Sequence, residues 1–241
     1  MYSDAHFHLN DRMKSILQKK DVAGMISCST PLEAKEAQRF LSTHPSLTMS
    51  CGIHPWKVEE SSWEEMLPYL QKASIIGEIG MDNVWCHTDE NLQEAYFVKQ
   101  LKYAMQYHKP VVLHIKGKEK RILDLIRQYP NIYLVHWYSC MQFIEEYRDL
   151  GCYFSIGPFP SLDNSVKKVV EKIPLHHLLI ETDGIGAIEW ALQRSIKDDA
   201  YFHALYQIAS EIGEIKEKTP QEILYITNQN LQHFLNNAPK L

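Results

Sequence analysis

Short apolar runs rich in β-branched residues alternate with longer amphipathic segments from one end of the chain to the other, and this alternation limits the folds open to it. The runs are Tyr2 to Leu9, Ala23 to Cys28, Leu47 to Ile53, Ser74 to Ile79, Pro110 to Ile115, Ile132 to Trp137, Cys152 to Ile156 and Leu178 to Thr182. Helices are expected near Arg12 to Lys20, Pro31 to Thr43, Ser61 to Lys72, Glu90 to His108, Lys118 to Tyr129, Met141 to Leu150 and Leu162 to Ile173. Two more, Asp198 to Ile212 and Thr219 to Leu235, follow the last run. End signals agree: Thr30-Pro31 and Thr219-Pro220 read as caps followed by Pro at the first helical position, Ser61-x-x-Glu64 as a capping box, and Gly151 as a C′ glycine.

Eight strands alternating with helices predict an α/β fold, a closed (β/α)₈ TIM barrel. An open doubly wound sheet is the competing arrangement, and it usually carries a glycine-rich phosphate loop after its first strand. Here His6-Phe7-His8-Leu9-Asn10 occupies that place, and neither dinucleotide nor P-loop motif occurs. A barrel commonly reaches about 250 residues as one unit, so residues 1–241 are expected to form a single domain.

The net charge of −5 excludes a protein that grips nucleic acid through a bulk basic field. Any phosphate partner must be attracted locally. The five cysteines, with no C-x-x-C pair, predict reduced thiols and a cytoplasmic location. The N-terminal residues lack a signal-like n-region and h-region, and no apolar stretch approaches about 18 residues, so a membrane partner is not expected. No feature calls for an obligate protein partner.

His, Asp and Glu collect at strand ends: His6 and His8 on the first, His54 after the third, Glu78 and Asp82 at the fourth, His114 on the fifth, His136 on the sixth and Asp183 after the eighth. In a barrel those C-terminal ends meet on one face, where active sites are built. His6 and His8, two residues apart on a strand, point the same way and can share an ion. Four imidazoles and two carboxylates, without a thiolate, suit Zn²⁺, Mn²⁺ or similar ions and exceed what one tetrahedral site needs. Two divalent metal ions bridged by a carboxylate is the economical arrangement, and it serves hydrolysis.

These residues stand in motifs that resemble the TatD family of metal-dependent deoxyribonucleases, within the amidohydrolase-like metallohydrolases. The motifs are Asp4-Ala-His6-Phe-His8-Leu9, Gly52-Ile-His54-Pro55, Gly77-Glu78-Ile-Gly80-Met-Asp82, Pro110-Val-Val-Leu-His114, Val135-His136-Trp-Tyr-Ser139 and Glu181-Thr-Asp183. Gln93, Phe97, Gln100 and Leu101 resemble the helix before the fifth strand, and Thr219-Pro220 through Asn230 and Phe234 the terminal helix.

The resemblance implies a first metal on His6, His8 and Asp183, a second on His114 and His136, and Glu78 bridging them. It makes Asp183 and Glu78 the catalytic carboxylates, with Asp183 orienting or deprotonating water. His54 and Asp82 become supporting or substrate-facing groups, and Lys116 a phosphate contact. The implied activity is hydrolysis of DNA phosphodiester bonds with divalent metal, Zn, Mn, Mg or similar. Two departures bear on substrate: His136-Trp137-Tyr138-Ser139-Cys140 replaces the commoner His-Cys-Phe-Ser-Gly, and Gly184 to Trp190 replaces a loop with Pro and an aromatic residue. A small phosphate ester, lactone or amide is therefore an alternative substrate, and a non-catalytic metal-binding module a more distant one. Trp85, Trp137, Tyr138 and Trp190 fall in loops where they can stack on bases or pack over the rim. Lys116, Lys118, Lys120 and Arg121 form either a solvated helix start or a phosphate-facing cluster.

Overall fold

The eight expected strands pair in parallel and in chain order. The structure, a computed structural model, describes residues 2–237. The strands are β1 (Tyr2–His8), β2 (Val22–Cys28), β3 (Leu47–Cys51), β4 (Ile75–Asp82), β5 (Val111–Lys116), β6 (Tyr133–Val135), β7 (Tyr153–Ile156) and β8 (Leu178–Ile180). The helices between them are α1 (Asp11–Leu17), α2 (Pro31–Leu41), α3 (Trp63–Lys72), α4 (Glu90–Gln106), α5 (Glu119–Ile126), α6 (Ile144–Asp149) and α7 (Asn164–Lys172). After β8 come α8 (Ile185–Leu192), α9 (Ala200–Lys216) and α10 (Pro220–Asn236).

The seam between β8 and β1 is closed by the Asp183 N–H, which donates to His6 O at 3.0 Å. The buried Asp4 carboxylate adds to it, accepting from Thr182 N at 3.0 Å, Thr182 Oγ1 at 2.5 Å and Tyr201 Oη at 2.8 Å. Burial pushes the Asp4 carboxyl up to about 7, against the pull of the Thr182 and Tyr201 donors. The sheet is thus a closed barrel with helices outside it.

Two register shifts decide what faces the barrel axis. Along a regular strand alternate residues face inward. In β1, Ala5 packs in the inner apolar cluster, while His6 approaches Glu78 across the barrel. A bulge between Asp4 and Phe7 reverses the alternation there, turning His6 and His8 inward. In β4 a second shift lies between Ile76 and Ile79; Ile75 lies in the same apolar cluster and Glu78 stands among the histidines. Gly80 lets β4 run close to β5, since a Cβ at that position would lie 1.8 Å from His114 O.

The N-terminal mouth is sealed by Ala5, Met25, Ile75, Val112, Leu134 and Leu179 against Leu231 and Phe234 of α10. Burying each large apolar side chain contributes roughly 1.5–3 kcal/mol. Helix α10 is fixed by the expected Thr219 cap, which forms a reciprocal capping box with Glu222.

Three local expectations are corrected. The α3 cap is Ser62, which accepts from Glu65 N–H, one residue beyond the Ser61/Glu64 frame; two overlapping Ser-x-x-Glu patterns made the frames indistinguishable. Phe143, at φ 61°, holds α6 to a start at Ile144, three residues after the expected Met141. Gly184 to Trp190 is no loop: Ile185–Leu192 forms α8, whose residues are too apolar to show a helical polar face.

Candidate metal centre

The C-terminal mouth opens into a cavity of about 970 Å³ whose floor is Glu78 with surrounding imidazoles. Glu78 Oε1 lies 2.6 Å from His114 Nδ1, 3.4 Å from His54 Nε2 and 3.6 Å from His136 Nε2. Glu78 Oε2 lies 3.3 Å from His6 Nε2 and 3.9 Å from His8 Nε2. Asp183 Oδ1 stands 3.6 Å from His6 Nε2 and 3.5 Å from His8 Nε2. One carboxylate therefore has a nitrogen-rich group on each side, with Asp183 completing the His6/His8 side.

Most of these rings are aimed by a second contact. Asp82 Oδ2 lies 2.9 Å from His114 Nε2, and Glu181 Oε2 lies 2.9 Å from His136 Nδ1. His54 Nδ1 accepts from Trp56 N–H at 3.2 Å. Each contact occupies one ring nitrogen and leaves the other facing Glu78, the arrangement that fixes an imidazole's orientation at a metal.

Helix α4 locks the supporting backbone. Gln93 accepts from Asp82 N at 2.8 Å and donates to Asp82 O at 2.9 Å. Gln100, seven residues on and so on the same helix face, accepts from Ile53 N at 2.6 Å and donates to Ile53 O at 3.1 Å. The two amides fix the ends of β4 and β3 beside Asp82 and His54.

Electrostatics show a floor that collects positive charge. Burial would raise Glu78, yet the imidazoles of His136, His54, His114 and His6 hold its carboxyl well below the usual range. Burial opposes charge on His136, but Glu181 and Glu78 outweigh it and push the ring up to about 10. His114 is raised in the same way, by Glu78 and Asp82 against burial. Burial prevails at His54, whose ring falls to about 4.

The donor set fits divalent cations. His6 Nδ1 and Nε2, Asp183 Oδ1 and Glu181 Oε1 are buried without a hydrogen-bond partner among the described residues, a costly condition unless another group satisfies them. His6, His8 and Asp183 offer ligand atoms within 4.8 Å of one another, as do His54, Glu78 and His114, and His6, His136 and Glu181. Asp183 is held at φ 56° and Gly184 at φ 88°; left-handed backbone at a non-glycine residue persists where surroundings impose it, commonly at functional sites.

The structure brings His6, His8, Glu78, His114, His136 and Asp183 together, and adds His54 to the floor. Asp82 is removed from the substrate-facing group: it is fully buried, accepting from Trp56 Nε1 at 2.7 Å and from the Val84 and Trp85 N–H groups. Lys116 does line the cavity and donates to Ser139 Oγ at 2.7 Å. Lys118, Lys120 and Arg121 pair instead with Glu90, Asp124 and Glu94 on the helix surface. Tyr138 leaves the rim: it is buried and donates to Gln142 O. Glu181 had no role assigned from sequence, although its spacing two residues before Asp183 repeats that of His6 and His8.

A barrel carrying such a floor at its C-terminal mouth defines a metal-dependent hydrolase. A family profile described as TatD related DNase matches residues 3–236, and the chain belongs to this family. It is 23% identical over 257 residues to the metal-dependent hydrolase YabD of Bacillus subtilis, covering 97% of this chain and 98% of that protein. It is 27% identical over 229 residues to a protein of Klebsiella pneumoniae named 3'-5' ssDNA/RNA exonuclease TatD, covering 85% of each. The crystal structure of the TatD homologue YjjV of Escherichia coli superposes with a TM-score of 0.80 at 20% identity, covering 98% of both chains.

Proposed function

We propose that this chain, acting as one barrel, hydrolyses phosphodiester bonds of DNA or a related nucleic acid with two divalent metal ions. The observation that carries the reading is Glu78, with His6 and His8 facing one carboxylate oxygen and His54, His114 and His136 facing the other. His6, His8 and Asp183 would hold one ion, His114 and His136 the other, and Glu78 both. The imidazole and carboxylate donors suit zinc or manganese, with magnesium less favoured by nitrogen ligands. Bound there, such ions supply Lewis acidity, lowering the pKa of water and neutralising charge on the attacking and leaving oxygens.

The protein's own part is positioning. Asp183 borders the cavity, and the carboxylate oxygen that does not face His6 and His8 accepts the proton of the attacking water. Asp82 and Glu181 keep His114 and His136 in one ring orientation. Lys116, at the cavity wall, takes a phosphate oxygen. The named exonuclease activity of the Klebsiella relative favours nucleic acid. A small phosphate ester, lactone or amide is the second reading, favoured by the acidic Glu33 and Asp163 in the cavity lining, which disfavour a long polyanion. Five free cysteines favour a cytoplasmic location.

The test is nucleotide release from single-stranded DNA by metal-loaded protein, alongside His114→Ala and Asp183→Asn and a panel of small esters and amides. DNA cleavage by wild type and its loss in both variants is expected. Equal activity in all three proteins, or turnover of small substrates alone, would contradict the reading.

A further inference from the structure

Above the polar floor the cavity changes character. Trp85 follows β4, Trp137 follows β6 and Trp190 lies on α8, yet their rings meet. Trp190 stands 6.2 Å from Trp85 at 71° and 6.0 Å from Trp137 at 82°, an edge-to-face chain along one wall. Trp190 is 60% and Trp85 52% exposed. Exposed apolar surface from two elements at a cavity mouth, continued by the half-buried Trp137 of a third, marks a binding surface.

The wall is held in place before any ligand arrives. Trp137, at φ 33°, lies flat on Gly157, where a Cβ would come within 2.5 Å of its ring. The Trp85 N–H is held by Asp82. Beside Trp190, Glu189 accepts from Arg12 Nη1 at 3.0 Å, while Arg12 also donates to Ile196 O at 2.9 Å and Asp198 Oδ1 at 3.1 Å. Lys116 joins wall to floor, with its ammonium 4.3 Å from the Trp85 ring centroid and its stem two residues from His114.

We propose that Trp85, Trp137 and Trp190 form a stacking subsite for the nucleobase next to the scissile phosphate, with Lys116 taking an oxygen of that phosphate. The ligand class is a flat ring joined to a phosphate. Every base has a π-face, so the subsite accepts all four. This rests on the nucleic-acid reading above and assigns its substrate contact.

Binding tests the subsite independently of turnover. Tryptophan fluorescence and calorimetry follow dAMP, dCMP and 2-deoxyribose 5-phosphate added to wild type, Trp190→Ala, Trp190→Phe and Trp85→Ala, with folding checked by circular dichroism. Both nucleotides should bind wild type at least about 5-fold more tightly than the sugar phosphate, as expected for one stacked base. Trp190→Ala should remove most of that advantage and Trp190→Phe retain much of it. Equal affinity for nucleotide and sugar phosphate, binding of neither, or an equal loss of both in Trp190→Ala would overturn the subsite. A strand whose terminal residue is abasic should be cleaved less well than the normal strand by wild type and about equally by Trp190→Ala. If no strand is cleaved, the nuclease reading fails and the nucleotide-binding difference still decides the wall.

Discussion

At the N-terminal mouth of the barrel, Val112, Leu134 and Leu179 pack on Leu231 and Phe234. Two residues further along the same strands stand His114, His136 and Glu181 on the opposite mouth. The same inward positions thus hold a sealed apolar layer at one end and a floor of ionisable groups at the other. The apolar layer needs only volume and shape, and its stability is spread over many weak contacts. The floor needs orientation: each supported ring depends on one named partner, whether Asp82, Glu181 or the Trp56 N–H. Changes at the lower mouth should therefore cost stability, and changes at the upper mouth should cost metal and turnover.

Glu78→Gln strikes the upper mouth hardest. It should lower turnover by about 10³-fold or more, the scale seen when one member of a catalytic unit is lost, while circular dichroism shows a folded barrel. A variant that unfolds would place Glu78 with the structural layer. At the lower mouth, Leu134→Ala should destabilise by about 2–5 kcal/mol in a denaturant titration, with metal content per folded chain unchanged. Loss of metal without loss of stability would erase the distinction between the mouths. Glu181→Gln keeps the shape but weakens the hold on His136, and should lower metal affinity by about 10–100-fold, measured by competition with a chelating dye. Trp56→Phe removes the indole donor to the buried Asp82 carboxylate and should cost about 1–3 kcal/mol of stability, with a small fall in metal affinity. An effect larger than that of Glu181→Gln would mean that Asp82, rather than the direct ring partners, organises the floor.

The strand alternation, the barrel and the convergence of His6, His8, Glu78, His114, His136 and Asp183 could be read from the sequence because each is a local pattern repeated along the chain. The bulges could not: residues 4–7 and 76–79 look like ordinary strand, and the shift depends on which neighbour each strand pairs with. Asp82 and Glu181 look like any carboxylate at a strand end, and only the paired ring nitrogens reveal their work. Helix α8 was hidden by its composition, since a short apolar segment shows no helical period and Gly184 and Gly186 suggest a turn. Gln93 and Gln100 stood out as a pair only once α4 placed both amides against strand ends.

The central claim is that two ion sites share Glu78, and metal counting tests it most directly. Purified protein loaded with zinc or manganese and analysed by elemental mass spectrometry should carry two ions per chain. His8→Ala and His136→Ala should each retain one, and Glu78→Gln should hold both poorly. A single ion per chain in wild type, or full occupancy in Glu78→Gln, would contradict the account.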